Sequence, residues 1–191
     1  MKKRSNNNVA LFSREEVKET EDGLLITAVL KNFTRPNGNG ELAEPDAYDE
    51  FVTEYYEKGG YNLPLCFMHD PANIIGVVTE LSRDDTEMRM KATILKTCPQ
   101  YEYISDLVRR GILGGVSDGS YVDGEFEETE DGNCIFHVKK GAMCEVSVVT
   151  VPAEITAGVV TINTKTHGFS HNNNNDGLAD LFDPRIFEQN S

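Results

Sequence analysis

The sequence predicts a mainly β fold with flanking helices (α+β), arranged as a mostly antiparallel barrel or sandwich. Short apolar or alternating runs bounded by Gly, Pro and Asp-Gly turn signals recur along the chain, about seven or eight of them. Only two stretches show the recurrence of an amphipathic helix. Strand and helix do not alternate, which excludes a doubly wound parallel sheet, and no repeat is visible at a period of about 20–50 residues. A chain of 191 residues supports one well-packed core, with room for a tail.

The formal charge is -14, from 32 acidic against 18 basic residues. Such a surface argues against sequence-independent binding to nucleic acid or to an anionic membrane. The basic cluster Lys2-Lys3-Arg4 is followed by Ser5 and asparagines with no apolar run, so it reads neither as a secretory signal nor as a membrane anchor, and the protein is expected to stay where it is made. Cys66, Cys98, Cys134 and Cys144 are widely spaced and sit mostly in apolar runs, as buried free thiols of a reducing compartment would. No Cys-x-x-Cys pair exists, and Cys66 with His69 is too isolated for a zinc site. No metal or cofactor is expected.

In chain order, residues 1 to 13 read as a loose polar arm with a brief apolar stretch at Val9 to Phe12. The Asp22-Gly23 turn leads into a core strand at Leu24–Leu30, and the Pro-Asn-Gly-Asn-Gly series after Arg35 reads as a loop. Pro45 and Asp46 open a helix with Ala47, Phe51 and Tyr55 on one face, which Gly59-Gly60 stops. Leu63–Met68 is an apolar strand that ends where His69-Asp70-Pro71 starts a loop, since proline restricts the residue before it. Ile74–Leu81 is expected to pair with the strand of Met88, Met90, Ala92 and Ile94 across a turn at Arg83-Asp84-Asp85. Pro99 begins a helix to Arg110 with Tyr101, Ile104, Leu107 and Val108 on its apolar face and Gly111 as its stop.

A strand from Ile112 to about Val122 follows, then an exposed acidic excursion over residues 123 to 132, then strands at Cys134–Val138, Met143–Val151 and Gly158–Ile162. In the second of these, Cys144, Val146 and Val148 take one face while Met143, Glu145, Ser147 and Val149 take the other. Beyond Thr166 the composition turns to asparagine and reads as a flexible tail with a short apolar end.

Within the strand from Ile112 lies Gly114-Gly115-Val116-Ser117-Asp118-Gly119. Gly115 and Gly119 flank Ser117 at two-residue spacing and would leave the serine's own strand face open for a ligand. A serine nucleophile needs a base within hydrogen-bond reach and a third group to hold that base. His69, at a strand end, is the strongest base; His137 lies mid-strand, and His167 and His171 lie in the tail. Glu145, a carboxylate inside a strand, most needs a partner. Asp70 and Asp118 would point to faces opposite His69 and Ser117, and Ser120 and Ser147 are weaker nucleophile candidates. Each residue also has a plain structural reading: a turn serine, a structural histidine, an edge-strand glutamate facing solvent. The residues permit a His69, Ser117, Glu145 set without requiring it.

The order Leu63-Pro-Leu-Cys-Phe-Met-His69-Asp70, Ile75-Gly-Val-Val78, a helix, Gly115-Val-Ser117-Asp-Gly119 and Glu145-Val-Ser-Val-Val-Thr-Val-Pro152-Ala153 resembles the prohead (capsid maturation) serine proteases of tailed bacteriophages. The resemblance spans residues 20 to 163. It implies a closed antiparallel β-barrel with helices packed around it, as in the related herpesvirus assemblins. It implies His69 and Ser117 as the catalytic pair, and Glu145 where the assemblins carry a third catalytic histidine. It further implies a serine endopeptidase that cleaves capsid scaffold or delta segments, and itself, inside the assembling procapsid in the host cytoplasm. No direct contact with nucleic acid or membrane is implied, and homo-oligomerisation is left open. Residues 1–20 would then be an arm, 21–163 the protease domain and 164–191 the tail. A catalytically silent capsid- or scaffold-binding barrel and an acidic hydrolase of small esters are the competing readings. Asp118 departs from the family pattern, which usually has an apolar residue after the serine.

Overall fold

A computed structural model describes residues 17–130 and 132–154. The chain runs β1 (Val17–Glu19), β2 (Gly23–Asn32), β3 (Glu41–Ala43), a π-helix (Phe51–Glu57), β4 (Pro64–Phe67), β5 (Asp70–Arg83), β6 (Glu87–Leu95), α1 (Tyr101–Arg109), β7 (Gly115–Glu128) and β8 (Cys134–Val149). The fold is mainly β with few helices.

All the strands belong to one sheet. β2 is antiparallel to β1 on one edge and to β6 on the other, and β5 links β6 to β4. β4 then lies parallel to β8. β7 runs antiparallel along one edge of β8, so β3, parallel to β8 at Phe136–Val138, shares with β4 the opposite edge.

The core follows from alternation. Leu24, Ile26 and Ala28 of β2 stand opposite Ile94, Ala92 and Met90 of β6, and all are buried. The expected β5–β6 pairing forms across residues 83–87. Helix α1 buries Tyr101, Ile104 and Val108, with Leu107 packed at the margin of the core. It stops at Gly111, whose φ of 71° only glycine adopts cheaply. Tyr101 and Arg109 hold Glu19 of β1 against this helix.

The sheet departs from a closed antiparallel barrel in two ways. β3 and β4 run parallel to β8, and among the described residues no ladder joins β2 to β7. The two ends are instead linked by side chains: Lys31 Nζ lies 2.7 Å from Asp118 Oδ1. A bulge between Val29 and Lys31 sets Lys31 opposite the buried Met88, which turns this lysine inward. Its ammonium stands 4.9 Å from the centroid of the buried Tyr48 ring, and Ser120 donates its hydroxyl proton to Asp118. Burial by itself would lower the Lys31 pKa, but the Asp118 carboxylate and the Tyr48 hydroxyl outweigh it and hold the ammonium well above its ordinary range.

Several segments differ from the sequence expectations. Residues 45–59 form turns and a helix that, after Asp49 and Glu50, continues as a π-helix rather than as an α-helix; four residues no longer complete a turn, so Tyr55, 57% exposed, rotates off the face that buries Phe51. The acidic stretch after Val122 is no excursion, because β7 continues to Glu128. There β7 and β8 form a mostly solvent-exposed ribbon crossed by Glu125–Lys139 and Glu127–His137 pairs, and with little apolar face to bury it carries no alternation. β8 likewise runs unbroken through Lys139-Lys140-Gly141, absorbing two register shifts.

All four cysteines are free thiols, but only Cys66 is buried: Cys134 opens the exposed ribbon and Cys144 is the extra residue at a register shift. Val9–Phe12, the strand expected at Gly158–Ile162, and the tail with His167 and His171 lie outside the described residues. Among the described residues no helix is long and apolar enough to cross a membrane.

Removing one partner of a buried ion pair strands the other. Asp118→Ala is expected to lower unfolding stability in urea by about 3–5 kcal/mol, and the double replacement Lys31→Met with Asp118→Leu by much less. A near-neutral single variant would remove the seam from the stability of the fold. At β1, the Tyr101 hydroxyl and then the Arg109 guanidinium hold the Glu19 carboxyl below its ordinary range. That contribution is present above the ordinary carboxylate pKa and is lost as pH falls through the depressed one. Glu19→Gln is therefore expected to flatten part of the acid limb of a stability–pH curve measured in urea.

Candidate active site

Ser117 lies near the start of β7, directly opposite Ser147 of β8, and Gly119 lies opposite Glu145. Opposed residues share a sheet face, so Ser117, Gly119, Glu145 and Ser147 are on one side while Val116 and Asp118 are on the other. Val116, Val146 and Val148 are fully buried on that second side, which anchors the pairing. Ser117 is itself buried, at 7% exposure.

The glycines around Ser117 do not leave its face open, contrary to the sequence reading. A Cβ on Gly115 would meet the Pro152 ring at 2.6 Å, and one on Gly119 would meet Glu145 Oε1 at 2.7 Å. The space that these glycines vacate is filled by a proline and by the carboxylate of the site.

His69 arrives from a different part of the sheet. No loop begins at His69-Asp70-Pro71; β4 returns into β5 through the two residues Met68 and His69, between the paired Phe67 and Asp70. Both have positive φ, 56° and 57°, as a two-residue hairpin of type I′ demands. Neither is Gly or Asn, and the left-handed conformation costs about 1–2 kcal/mol per residue. Contacts to β8 hold the turn: Met68 N–H donates to the Val148 carbonyl at 3.1 Å, and His69 N–H donates to Ser147 Oγ at 2.9 Å.

The His69 ring then meets Glu145, with Nδ1 2.6 Å from Oε1. An ionised carboxylate only accepts, so in this contact Nδ1 is the donor. The second oxygen of Glu145 accepts the Ser147 hydroxyl at 2.6 Å. Both carboxylate oxygens are thereby paired, and a glutamate within a strand is accounted for. The Glu145 side chain is 13% exposed while that of His69 is 45% exposed, so the imidazole faces solvent and the carboxylate does not.

His69, Glu145 and Ser117 are thus gathered around the β4–β8–β7 junction. Among the described residues no hydrogen bond joins Ser117 to His69; such bonds are often long without substrate and tighten when it binds. Asp118 faces the core and pairs with Lys31, so it plays no part on the serine's face. His137 pairs with Glu127 on the distal ribbon. Ser120 serves Asp118. Ser147, a weak nucleophile candidate by sequence, has a tie to the site that is readable in part, since it stands two residues from Glu145 on the same face. Among the described residues no group of three or more His, Cys, Asp or Glu side chains could hold a metal ion.

Comparisons with known proteins place the chain in a family and find similar folds. A family model described as caudovirus prohead serine protease matches residues 13–172. Among solved structures, the capsid assembly protease gp21 of bacteriophage T4 is similar at a TM-score of 0.54 and 16% identity, covering 70% of this chain and 90% of that one. The KSHV protease, solved with a hexapeptide phosphonate inhibitor, matches at a TM-score of 0.43 and 17% identity, over 69% of this chain and 61% of its own. No curated protein sequence matches the chain.

Because the methyl of alanine at position 119 collides with a carboxylate at the end of a flexible side chain, the fold should absorb it and the site should not. Gly119→Ala is expected to keep its thermal unfolding midpoint within a few degrees while labelling of Ser117 by diisopropyl fluorophosphate slows by about tenfold or more. Unchanged labelling would remove Glu145 from the site.

Proposed function

Since the chain belongs to the caudovirus prohead serine proteases, we propose that Ser117 is its nucleophile, His69 its general base and Glu145 the residue that orients the base. Membership of that family makes the chain a serine protease rather than a silent capsid-binding module or an ester hydrolase. The observation that carries the residue assignment is the 2.6 Å contact of His69 Nδ1 with Glu145, which leaves Nε2 as the basic nitrogen of a ring held on β8, the strand that pairs with the one bearing Ser117.

In the forward step Nε2 takes the proton of the Ser117 hydroxyl as Oγ attacks the peptide carbonyl, and Glu145 stabilises the imidazolium that forms. His69 then gives this proton to the leaving amine as the C–N bond breaks. Water, deprotonated by the same nitrogen, attacks the acyl-enzyme ester, and Ser117 regains its proton.

The substrates in this reading are scaffold or delta segments of the capsid protein, and the protease itself, cleaved inside the procapsid. Family membership and the fold similarity to a phage capsid assembly protease support it. The reading includes closure of the sheet into a barrel at the Lys31–Asp118 seam, supported by the approach of β2 to β7 at that point.

Co-expression with the capsid precursor, followed by intact-mass analysis, is the test. The wild type is expected to yield shortened precursor, and Ser117→Ala none. Glu145→Gln keeps the shape but no longer offers an ionised acceptor, and cleavage is expected to slow by roughly 10²- to 10⁴-fold. The same fragments from Ser117→Ala would overturn the assignment.

A further inference from the structure

We propose that Ser147 is a positioning residue of this protease: its hydroxyl sets where His69 stands relative to Glu145. The inference rests on the His69–Ser117–Glu145 reading and adds a fourth member that does not touch the reacting atoms.

Ser147 is fully buried in β8, and a buried serine is commonly satisfied by a single nearby backbone group. This one divides its hydroxyl between two residues of the site. Oγ accepts from the His69 backbone N–H at 2.9 Å and donates to Glu145 Oε2 at 2.6 Å. The same two residues meet a second time through their side chains, His69 Nδ1 to Glu145 Oε1 at 2.6 Å. Base, carboxylate and serine hydroxyl therefore form a closed ring of contacts, and within it only Ser147 fixes the main chain of His69.

That main chain needs fixing. His69 has a φ of 57° in a hairpin turn with no glycine or asparagine, a conformation that persists only where the surroundings over-determine it. The neighbouring Met68 N–H takes the Val148 carbonyl, so the turn is held by one backbone acceptor and one side-chain acceptor. The pairing of Leu65, Cys66 and Phe67 with Val146, Ser147 and Val148 is main-chain and does not depend on the residue-147 side chain. An alanine there keeps β4 on β8 but leaves the His69 N–H and one Glu145 oxygen without their partner. The imidazole is then free to turn away from Ser117, a fault in the reaction rate and not in substrate affinity.

The experiment measures inactivation of the full chain by diisopropyl fluorophosphate, resolved into its limiting rate and half-saturating concentration, together with amide hydrogen exchange. Ser147→Ala is expected to lower the limiting rate by about tenfold or more with half-saturation within about twofold. The His69 amide should exchange faster while those of β4 and β8 stay protected, a pattern that general loosening of the fold would not give. Ser147→Cys, with a weaker donor and acceptor of similar size, should fall between wild type and alanine. A limiting rate for Ser147→Ala within about threefold of wild type, with Ser117 still the labelled residue, overturns this inference and leaves the site reading standing. Label that persists in Ser117→Ala overturns both.

Discussion

The register of β7 on β8 is the constraint from which the rest of the site follows. With Val116 opposite Val148 on the core side, Ser117 must stand opposite Ser147 and Gly119 opposite Glu145 on the other. Slipping one strand by one residue would exchange the faces, moving serine and glutamate into the core and buried valines out of it. Each such valine contributes about 1.5–3 kcal/mol by its burial, so the apolar side holds the register against the alternatives. The polar side contributes little to that choice and is left free to carry chemistry.

β4 supplies the other half of the site. Because it runs parallel to the C-terminal part of β8, the turn that follows it lands beside Glu145 and Ser147, and His69 is delivered to a carboxylate far away in sequence. The cost is a two-residue turn in a conformation that its residues disfavour. The return is geometric: a histidine on a longer loop would have many orientations, whereas here main chain and ring are each tied to β8. Glu145, which would be costly on a half-buried strand without partners, is satisfied by the His69 ring and by the Ser147 hydroxyl.

What was legible in the sequence was whatever buries one face. β2, the β5–β6 hairpin and α1 announce themselves through apolar runs, alternation or helical spacing and a glycine stop, and they lie close to where those patterns put them. The β7–β8 ribbon does not, because most of its outer residues meet water on both sides and nothing selects a period. The turn at Met68-His69 was hidden because its residue types are wrong for it; contacts to β8 impose the conformation. His69, Ser117 and Glu145 stood out only against their settings: a histidine ending an apolar run, a serine between glycines, a glutamate in a strand. Ser147 had no such contrast, since a serine in an alternating strand is unremarkable until its partners are known.

Asp118 marks the limit of local reading. Next to Ser117 between glycines it has the look of turn chemistry, yet it is a core-facing member of β7 whose partner, Lys31, ends an apolar run in β2 and is turned inward by a bulge. Apolar residues would fill this junction at least as stably, because two charges pay a desolvation penalty that their attraction only partly repays. What an ion pair adds is direction. Between β2 and β7 no described ladder sets which residue faces which, and side-chain packing alone would tolerate sliding. One lysine that reaches one carboxylate, itself held by Ser120 in the same strand, supplies the missing register. It does so one residue from Ser117, on the opposite face, where its charge is matched by Lys31 and is kept off the face that Ser117 shares with Glu145.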